Sequence, residues 1–369
     1  MKKNILVIML CIVFVASMAL GACRGGTAAP EPAAPAPAPA EDSGNGGDAG
    51  GSAGGSGVEG KTVGIIPLTL ANGFHQAEQM WRIKFAEEKG LEVIYLDGEV
   101  DQPTIVRNLD QLIAAGVDGI VLHSLEIESV IAGIDEARAN DIAIITYYVQ
   151  TPNNIPFVAI NESTAAFQMG VVAAEQWTKA HPDIPIVYSL VNLLDMPVVQ
   201  EMRANPWMEG ILSVAPDAKL GLNIDGGGTR EGGYKAAQDI LQAVPETNLI
   251  YGCSSDYSLA IWPVLQEAGR GKFIDGVPQT EILVGTDAVA EEMKLLFDPT
   301  SSFKVTMGLT PKDNARVIID TIVGAMLGTI DPDKRQTIDT YDKQFDYWNT
   351  TVEDARAWFK DQYGQEPEF

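Results

Sequence analysis

The chain has 369 residues, with 25 Lys and Arg against 50 Asp and Glu, for a formal charge of −25. That length suggests two domains, and 46% hydrophobic with 20% charged residues is the composition of a globular protein with enough chain to bury a core. The acidic excess argues against nucleic-acid binding, which needs clustered Lys and Arg, and three Cys are too few for a disulfide scaffold.

Residues 1–23 read as an address. Lys2 and Lys3 precede an apolar stretch from Ile5 to Leu20, about the length of a secretory signal and short for a membrane span. Leu20-Gly21-Ala22-Cys23 resembles the bacterial lipobox, in which small residues precede a Cys that takes lipid and becomes the new N-terminus. A single membrane anchor is the alternative. With Cys23 lipidated and Cys11 removed, only Cys253 remains in the body, where no partner base marks it as reactive. Residues 24–60 are almost entirely Ala, Pro, Gly and Ser. They predict a disordered tether, stiff in its Pro-rich half and flexible in its Gly-rich half. Gly55 to Thr62 matches a phosphate loop literally, but the match follows the tether and runs into a strand. A working loop does the reverse, following a strand and opening a helix.

From Lys61 onward, strands and helices alternate. The predicted strands are Val63–Leu68, Glu92–Leu96, Gly119–His123, Ala143–Tyr148, Phe157–Ile160, Ile186–Val191, Lys219–Ile224, Leu249–Cys253, Ile282–Gly285 and Lys304–Gly308. Their continuous Ile and Val content is that of parallel strands covered on both faces. Amphipathic helices are predicted at Thr104–Ala115, Ala165–Ala180, Val198–Val214, Glu231–Val244, Tyr257–Ala268 and Asn314–Leu327, with a last one over Thr350–Tyr363. The fold class is therefore α/β, with ten strands fitting two sheets of five.

Ligands in such sheets bind beyond the carboxyl ends of the strands. No dinucleotide fingerprint follows a strand, no Gly-x-Ser-x-Gly elbow appears, and no His, Cys or Asp spacing suits a metal. The sequence thus predicts no catalytic residues and no cofactor.

VGIIPLTLANGFHQAEQMWR, GVDGIVLHS, IAIITYY, CSSDYSLAIWPVLQEAG, ILVGTDA and VTMGLTPKDNARVIIDTIVGAMLG together resemble the type 1 periplasmic-binding-protein family, specifically the ribose- and galactose-like solute-binding lipoproteins of bacterial ABC importers. The resemblance implies two Rossmann-like lobes with parallel sheets, joined by a three-crossover hinge near Asn161, Thr310 and Thr340. It divides the chain into a first lobe of residues 61–161 and 310–340 and a second of 162–309 and 341–369. It implies an extracytoplasmic protein, lipid-anchored to the cell membrane and probing as a monomer for a small molecule in the interlobe cleft. The partner would be an ABC permease. A sensor subunit serving a chemoreceptor or histidine kinase is the alternative. A related transcription regulator is disfavoured by the lipobox and the lack of an N-terminal helix-turn-helix.

By the same resemblance, Asn72 and Phe74 match the polar and stacking positions of the first loop. His75 and His123 stand where a second aromatic and a third-strand polar group are common. Ser255, Asp256 and Asp287 match an Asn-Asp pair and an acceptor Asp. Tyr148 replaces an Asp-Arg pair, Trp207 stands where an Arg precedes Gly210 (Arg203 could serve one turn earlier), and Leu309 replaces a polar group. These replacements imply a ligand flatter or less hydroxylated than a simple pyranose, such as a nucleoside-like molecule or a modified polyol, stacked on Phe74, Tyr148 and Trp207. Packing roles stay open: Asn72 could cap a helix, either His could be a core residue, and Trp207 could form a stripe with Met202 and Ile211. Tyr147 and Tyr148 point to opposite sides if the strand continues, so only one should face the cleft.

Overall fold

Short apolar segments, the central ones fully buried, build two sheets in a computed structural model that describes residues 57–71, 73–124 and 126–369. The first part of the chain runs β1 (Thr62–Ile66), α1 (Gly73–Glu88), β2 (Glu92–Tyr95), α2 (Gln102–Ala115), β3 (Gly119–Leu122), α3 (Ile131–Ala139), β4 (Ala143–Tyr147) and β5 (Phe157–Asn161). The second runs α4 (Ser163–Ala180), β6 (Val187–Asn192), α5 (Pro197–Val199), a π-helical turn at Gln200–Ala204, α6 (Asn205–Val214), β7 (Lys219–Asp225), α7 (Arg230–Ala243), β8 (Leu249–Gly252) and α8 (Ser255–Glu267). A small antiparallel ribbon follows, β9 (Phe273–Ile274) with β10 (Val277–Pro278), and then β11 (Ile282–Val284), α9 (Ala290–Phe297) and β12 (Phe303–Gly308). The chain ends with α10 (Pro311–Met326), β13 (Thr337–Tyr341), β14 (Lys343–Asp346) and α11 (Val352–Tyr363).

The first sheet has the order β13-β5-β4-β3-β1-β2 and is parallel throughout. The second has the order β14-β12-β11-β8-β6-β7, parallel except for its edge strand β14. The chain passes between the sheets three times: after β5, after β12, and between β13 and β14. All ten predicted strands are present. Each sheet nevertheless has six strands rather than five, because β13 and β14 join as polar edges.

Local chemistry explains the boundaries. Asp101 caps α2 by accepting from the Thr104 N–H at 2.9 Å, and Gly116 ends it with φ +68°. Thr229 caps α7 through the Gly232 N–H at 3.0 Å, so Gly226–Gly228 form a turn ahead of a capped helix. Thr351 caps α11 by accepting from the Asp354 N–H at 3.1 Å, and Gly364 ends it with φ +67°. Gly57 to Lys61 form a turn, and Lys61 N–H donates to the Val58 carbonyl at 3.0 Å before β1 begins. Val58 is fully buried in the first core, so the packed body starts inside the predicted tether. The signal, Cys23 and residues 24–56 lie outside the described residues.

Apolar clusters cover both faces of the first sheet, and one large cluster fills the second half. Helices α4 and α6 cross there with Gly170 against Gly210. Cys253 is buried in this core, and burial pushes its thiol up to about 12. Helix α11 reaches both halves. Ala355 joins the second core, whereas Phe359 and Tyr363 pack on Ala77 of α1, and the Trp81 indole N–H donates to the Gln362 carbonyl at 2.6 Å.

Candidate functional site

The carboxyl ends of the two sheets face one another across a cavity of about 170 Å³. From the first sheet come Leu68 after β1, His123 after β3, Tyr147 and Tyr148 at the end of β4, and Ile160 and Glu162 at β5, together with Phe74, His75 and Glu78 of α1. From the second come Leu193 after β6, Ser254 after β8, Asp287 after β11 and Leu309 after β12, with Met196, Val199 and Arg203 on the helical segment that follows β6.

Of the sequence-predicted residues, the structure brings Phe74, His75, His123, Tyr148, Arg203 and Asp287 into this lining. Asn72 lies outside the described residues. Ser255 stands one position behind the wall, where its backbone N–H and its hydroxyl both donate to Asp287 Oδ2, at 2.9 and 2.7 Å. It orients the carboxylate instead of facing the cavity. Asp256 is not in the lining: its side chain is 55% exposed, 3.4 Å from Arg230. Trp207 is also not in the lining. It is fully buried in the second core, with ring centroids 5.0 Å from Tyr251 and 5.8 Å from Tyr188. The sequence match to Gly210 had a packing cause, since a Cβ on Gly210 would stand well under 3.0 Å from the Phe167 carbonyl oxygen.

Arg203 lies within the π-helical turn, one turn ahead of Trp207 on α6. One extra residue in the turn changes the face that the following side chains present, and such bulges recur at functional sites. Arg203 enters the cavity floor and donates from Nη2 to Glu162 Oε1 at 2.7 Å, from Nε to Glu162 Oε2, and from Nη1 to the Cys253 carbonyl at 2.8 Å. Its Nη2 also reaches the Tyr148 hydroxyl at 3.2 Å, so one guanidinium ties the second sheet's helix to β4 of the first. Glu162 follows β5 directly and is fully buried.

Both Tyr147 and Tyr148 face the cavity, contrary to the alternation rule. The strand stops at Tyr147, and Tyr148 has φ +65°, a left-handed conformation that breaks the alternation. The Tyr147 hydroxyl accepts from Arg82 Nη1 at 2.9 Å, and the guanidinium lies 4.3 Å from the Tyr147 ring centroid. Arg82 in turn pairs with Glu78 at 2.8 Å, one helical turn apart and fully buried. The Tyr148 hydroxyl donates to Glu162 Oε1 at 3.3 Å. Burial holds both phenols well above their ordinary range.

His75 Nδ1 lies 3.3 Å from Glu78 Oε2. His123 is 3% exposed, and neither ring nitrogen has a hydrogen-bond partner. Burial, then the neighbouring His75 and Arg82, hold its imidazole well below the usual histidine range. It is therefore a neutral ring with one N–H and one lone pair to offer.

The three crossovers meet beneath this wall. Glu162 belongs to the first, Thr310 to the second and Asp342 to the third, and the Thr310 N–H donates to Asp342 Oδ1 at 3.3 Å. Asp342 is held well above the carboxylate range by burial and then by Glu162. Sequence reasoning missed Glu162, although the strand-end rule that found His123 would have found it too. Glu78 gave a weaker signal, a Glu four residues before an Arg on the first helix. Among the described residues, no group of His, Cys, Asp or Glu is arranged to hold a metal.

Residues 63–329 match the model of the periplasmic binding protein domain. The chain belongs to this family. Membership implies an extracytoplasmic location. No curated protein matches the chain. Among solved structures it is similar to an ABC transporter periplasmic solute-binding protein of Actinobacillus succinogenes with bound D-allose, at 15% identity and TM-score 0.66, covering 80% of this chain and 99% of that one. It is similar to a Mycobacterium smegmatis protein in complex with β-D-fucofuranose, at 20% identity and TM-score 0.68, covering 84% and 98%. It also resembles a Bacillus halodurans solute-binding protein with bound myo-inositol, at 17% identity and TM-score 0.64, covering 81% and 98%. These likenesses show the fold: α/β, two lobes with mostly parallel sheets and the periplasmic-binding-protein architecture.

Proposed function

We propose that this periplasmic binding protein captures one small, polar, sugar-like molecule between its lobes and delivers it, unchanged, to an ABC importer. The observation that carries the reading is the cavity at the carboxyl ends of both sheets, walled by aromatic rings and floored by buried charge. At about 170 Å³ it is close to the ~150 Å³ that an engineered cavity needs for one benzene. That size supports a single ring, such as a monosaccharide or cyclic polyol, over a base joined to a ribose. Similar folds that hold allose, fucofuranose and inositol support the same class. Phe74, Tyr147 and Tyr148 would stack on the ring, and Asp287 and His123 would take its polar edge.

The reading keeps the lobe division predicted from the sequence, with hinge bending between open and closed forms. It also keeps a monomer held at the membrane by lipid on Cys23, with residues 24–56 as spacer. To test it, the chain from residue 24 onward is purified, because Val58 belongs to the core. Its bound molecule is identified by mass spectrometry after denaturation and returned in a melting-temperature titration, since a ligand of the native state raises stability by mass action. Absence of any released molecule, with no stabilisation by monosaccharides or polyols, would refute the proposal.

A further inference from the structure

The charges around the cavity do not balance. Glu78, Glu162 and Asp287 line it, and Asp342 lies just beneath. Arg203 is the one Arg or Lys among the described lining residues, and it is committed to both oxygens of Glu162. Arg82, behind the wall, is committed to Glu78. Asp287 and Asp342 therefore remain without a hydrogen-bonded cation, Asp287 keeping only a 4.0 Å ion-pair contact with Arg203. Asp342 Oδ2 is buried with no hydrogen-bond partner, and burial favours a proton there. Asp287 is different. Ser255 holds its Oδ2 twice, while its Oδ1 is 4.0 Å from Arg203 Nη1, beyond hydrogen-bond distance.

The backbone around Asp287 is set for this presentation. Asp287 has φ +93° and Ala288 φ +49°, two successive non-glycine residues in the left-handed region. Such conformations persist where the surroundings over-determine them and cluster at ligand clamps. Independently, His123 lines the same cavity, is 3% exposed and has two ring nitrogens without a hydrogen-bond partner, and a buried polar group without a partner implies one in the functional state. Tyr147 and Tyr148 lie with ring centroids 4.8 and 5.3 Å from His123. A cavity with carboxylate and aromatic walls suits a cation, because the ring quadrupole and the anion attract it together.

We propose that the ligand is a single-ring amino sugar or amino polyol whose protonated amine sits against Asp287 and supplies the missing positive charge. The proposal rests on the solute-capture reading and narrows its ligand class. An ammonium is a pure donor, which suits Asp287 Oδ1 and the His123 lone pair. A hydroxyl could donate to the same atoms but would add no positive charge beside Asp287, whose side chain is 16% exposed and whose one ion-pair partner among the described residues is Arg203 at 4.0 Å.

The test is a calorimetric titration of the chain from residue 24 onward, stripped of ligand, with matched pairs: glucosamine and glucose, galactosamine and galactose, mannosamine and mannose, and an aminocyclitol and myo-inositol. A charge-assisted contact in place of a neutral one should favour the amine of the recognised pair by at least about tenfold. Asp287→Asn should narrow that preference to within a few-fold while neutral partners change little, with the melting curve of the variant as its folding control. Neutral members that bind as tightly as their amines would overturn the proposal and leave solute capture standing. Failure of both members of every pair, with no small molecule released on denaturation, would overturn the proposal and solute capture together.

Discussion

Replacing Gly170 by Ala tests whether the two helices that carry the second lobe's share of the site touch backbone to backbone. A Cβ at 170 would meet the Trp207 carbonyl oxygen at well under 3.0 Å and the Ile211 nitrogen at 3.0 Å. A Cβ at 210 would meet the Phe167 carbonyl oxygen and, at 3.1 Å, the Gly170 Cα. Neither neighbour is a flexible side chain, so α4 and α6 must part by roughly 1.5 Å to restore ordinary contacts of about 3.5–4.0 Å. The layer that would loosen contains Ala166, Met169, Ala173, Trp207 and Ile211, all fully buried. Overpacking of this kind costs about 1–3 kcal/mol and occasionally more, and the backbone target puts this site at the upper end. The better helix propensity of Ala returns about 1 kcal/mol. The expected net loss is therefore ~2 kcal/mol, read as a lower urea midpoint at unchanged slope in the ligand-free protein. Gly210→Ala should behave alike, and the double variant should lose less than the sum because one separation relieves both clashes. Gly73→Ala, where nothing stands within 4 Å, is the control and should lose nothing. A Gly170→Ala protein as stable as its parent, or more so, would refute the close crossing.

Other consequences follow from the same geometry. Glu162→Gln leaves the Arg203 guanidinium buried without its anion and should cost about 3–5 kcal/mol in ligand-free denaturation; a loss below 1 kcal/mol would mean the pair is not desolvated. His123→Phe should improve acid tolerance. The folded-state pKa of His123 lies well below 6.5, so the unfolded chain takes the proton first and stability falls as pH falls through 6.5, by about 2 kcal/mol at pH 5. Opposing contributions, such as that of Asp342, are common to both proteins and cancel. Equal pH 7 to pH 5 losses in parent and variant would remove the argument. Trp207→Ala should cost about 3–5 kcal/mol yet leave ligand affinity of the folded protein within a few-fold, because the indole stacks on core rings rather than on ligand. A selective loss of affinity would return Trp207 to the binding site.

The alternation of buried strands with amphipathic helices made the architecture legible, because parallel strands covered on both faces have little choice but continuous Ile and Val. β13 and β14 escaped for the converse reason. TIDTY and KQFD are edge strands paired with β5 and β12 that carry few apolar residues, although Phe345 of the second is fully buried in the core. Within the site, the strand-end rule found His123, Tyr148 and Asp287, whose positions depend only on where a strand stops. Arg203 was legible only as the alternative one turn before Trp207, and neither the π-helical turn that holds it nor the left-handed residue that lets Tyr147 and Tyr148 both face the cavity leaves a mark in residue spacing. Trp207 misled because Gly210 marks a helix crossing as readily as a ligand loop.

The meeting of Glu162, Thr310 and Asp342 beneath Arg203 makes the floor of the cavity and the pivot of the lobes one object. A substitution there changes how tightly a ligand is held and also what fraction of molecules is closed, and the measured affinity is the product of the two. Variants with new specificity are therefore more accessible through the walls, at Phe74, Leu193, Met196 or Leu309, where a contact can be exchanged without shifting the opening equilibrium. In a lineage of such proteins, the floor should change slowly and in concert while the walls vary one residue at a time.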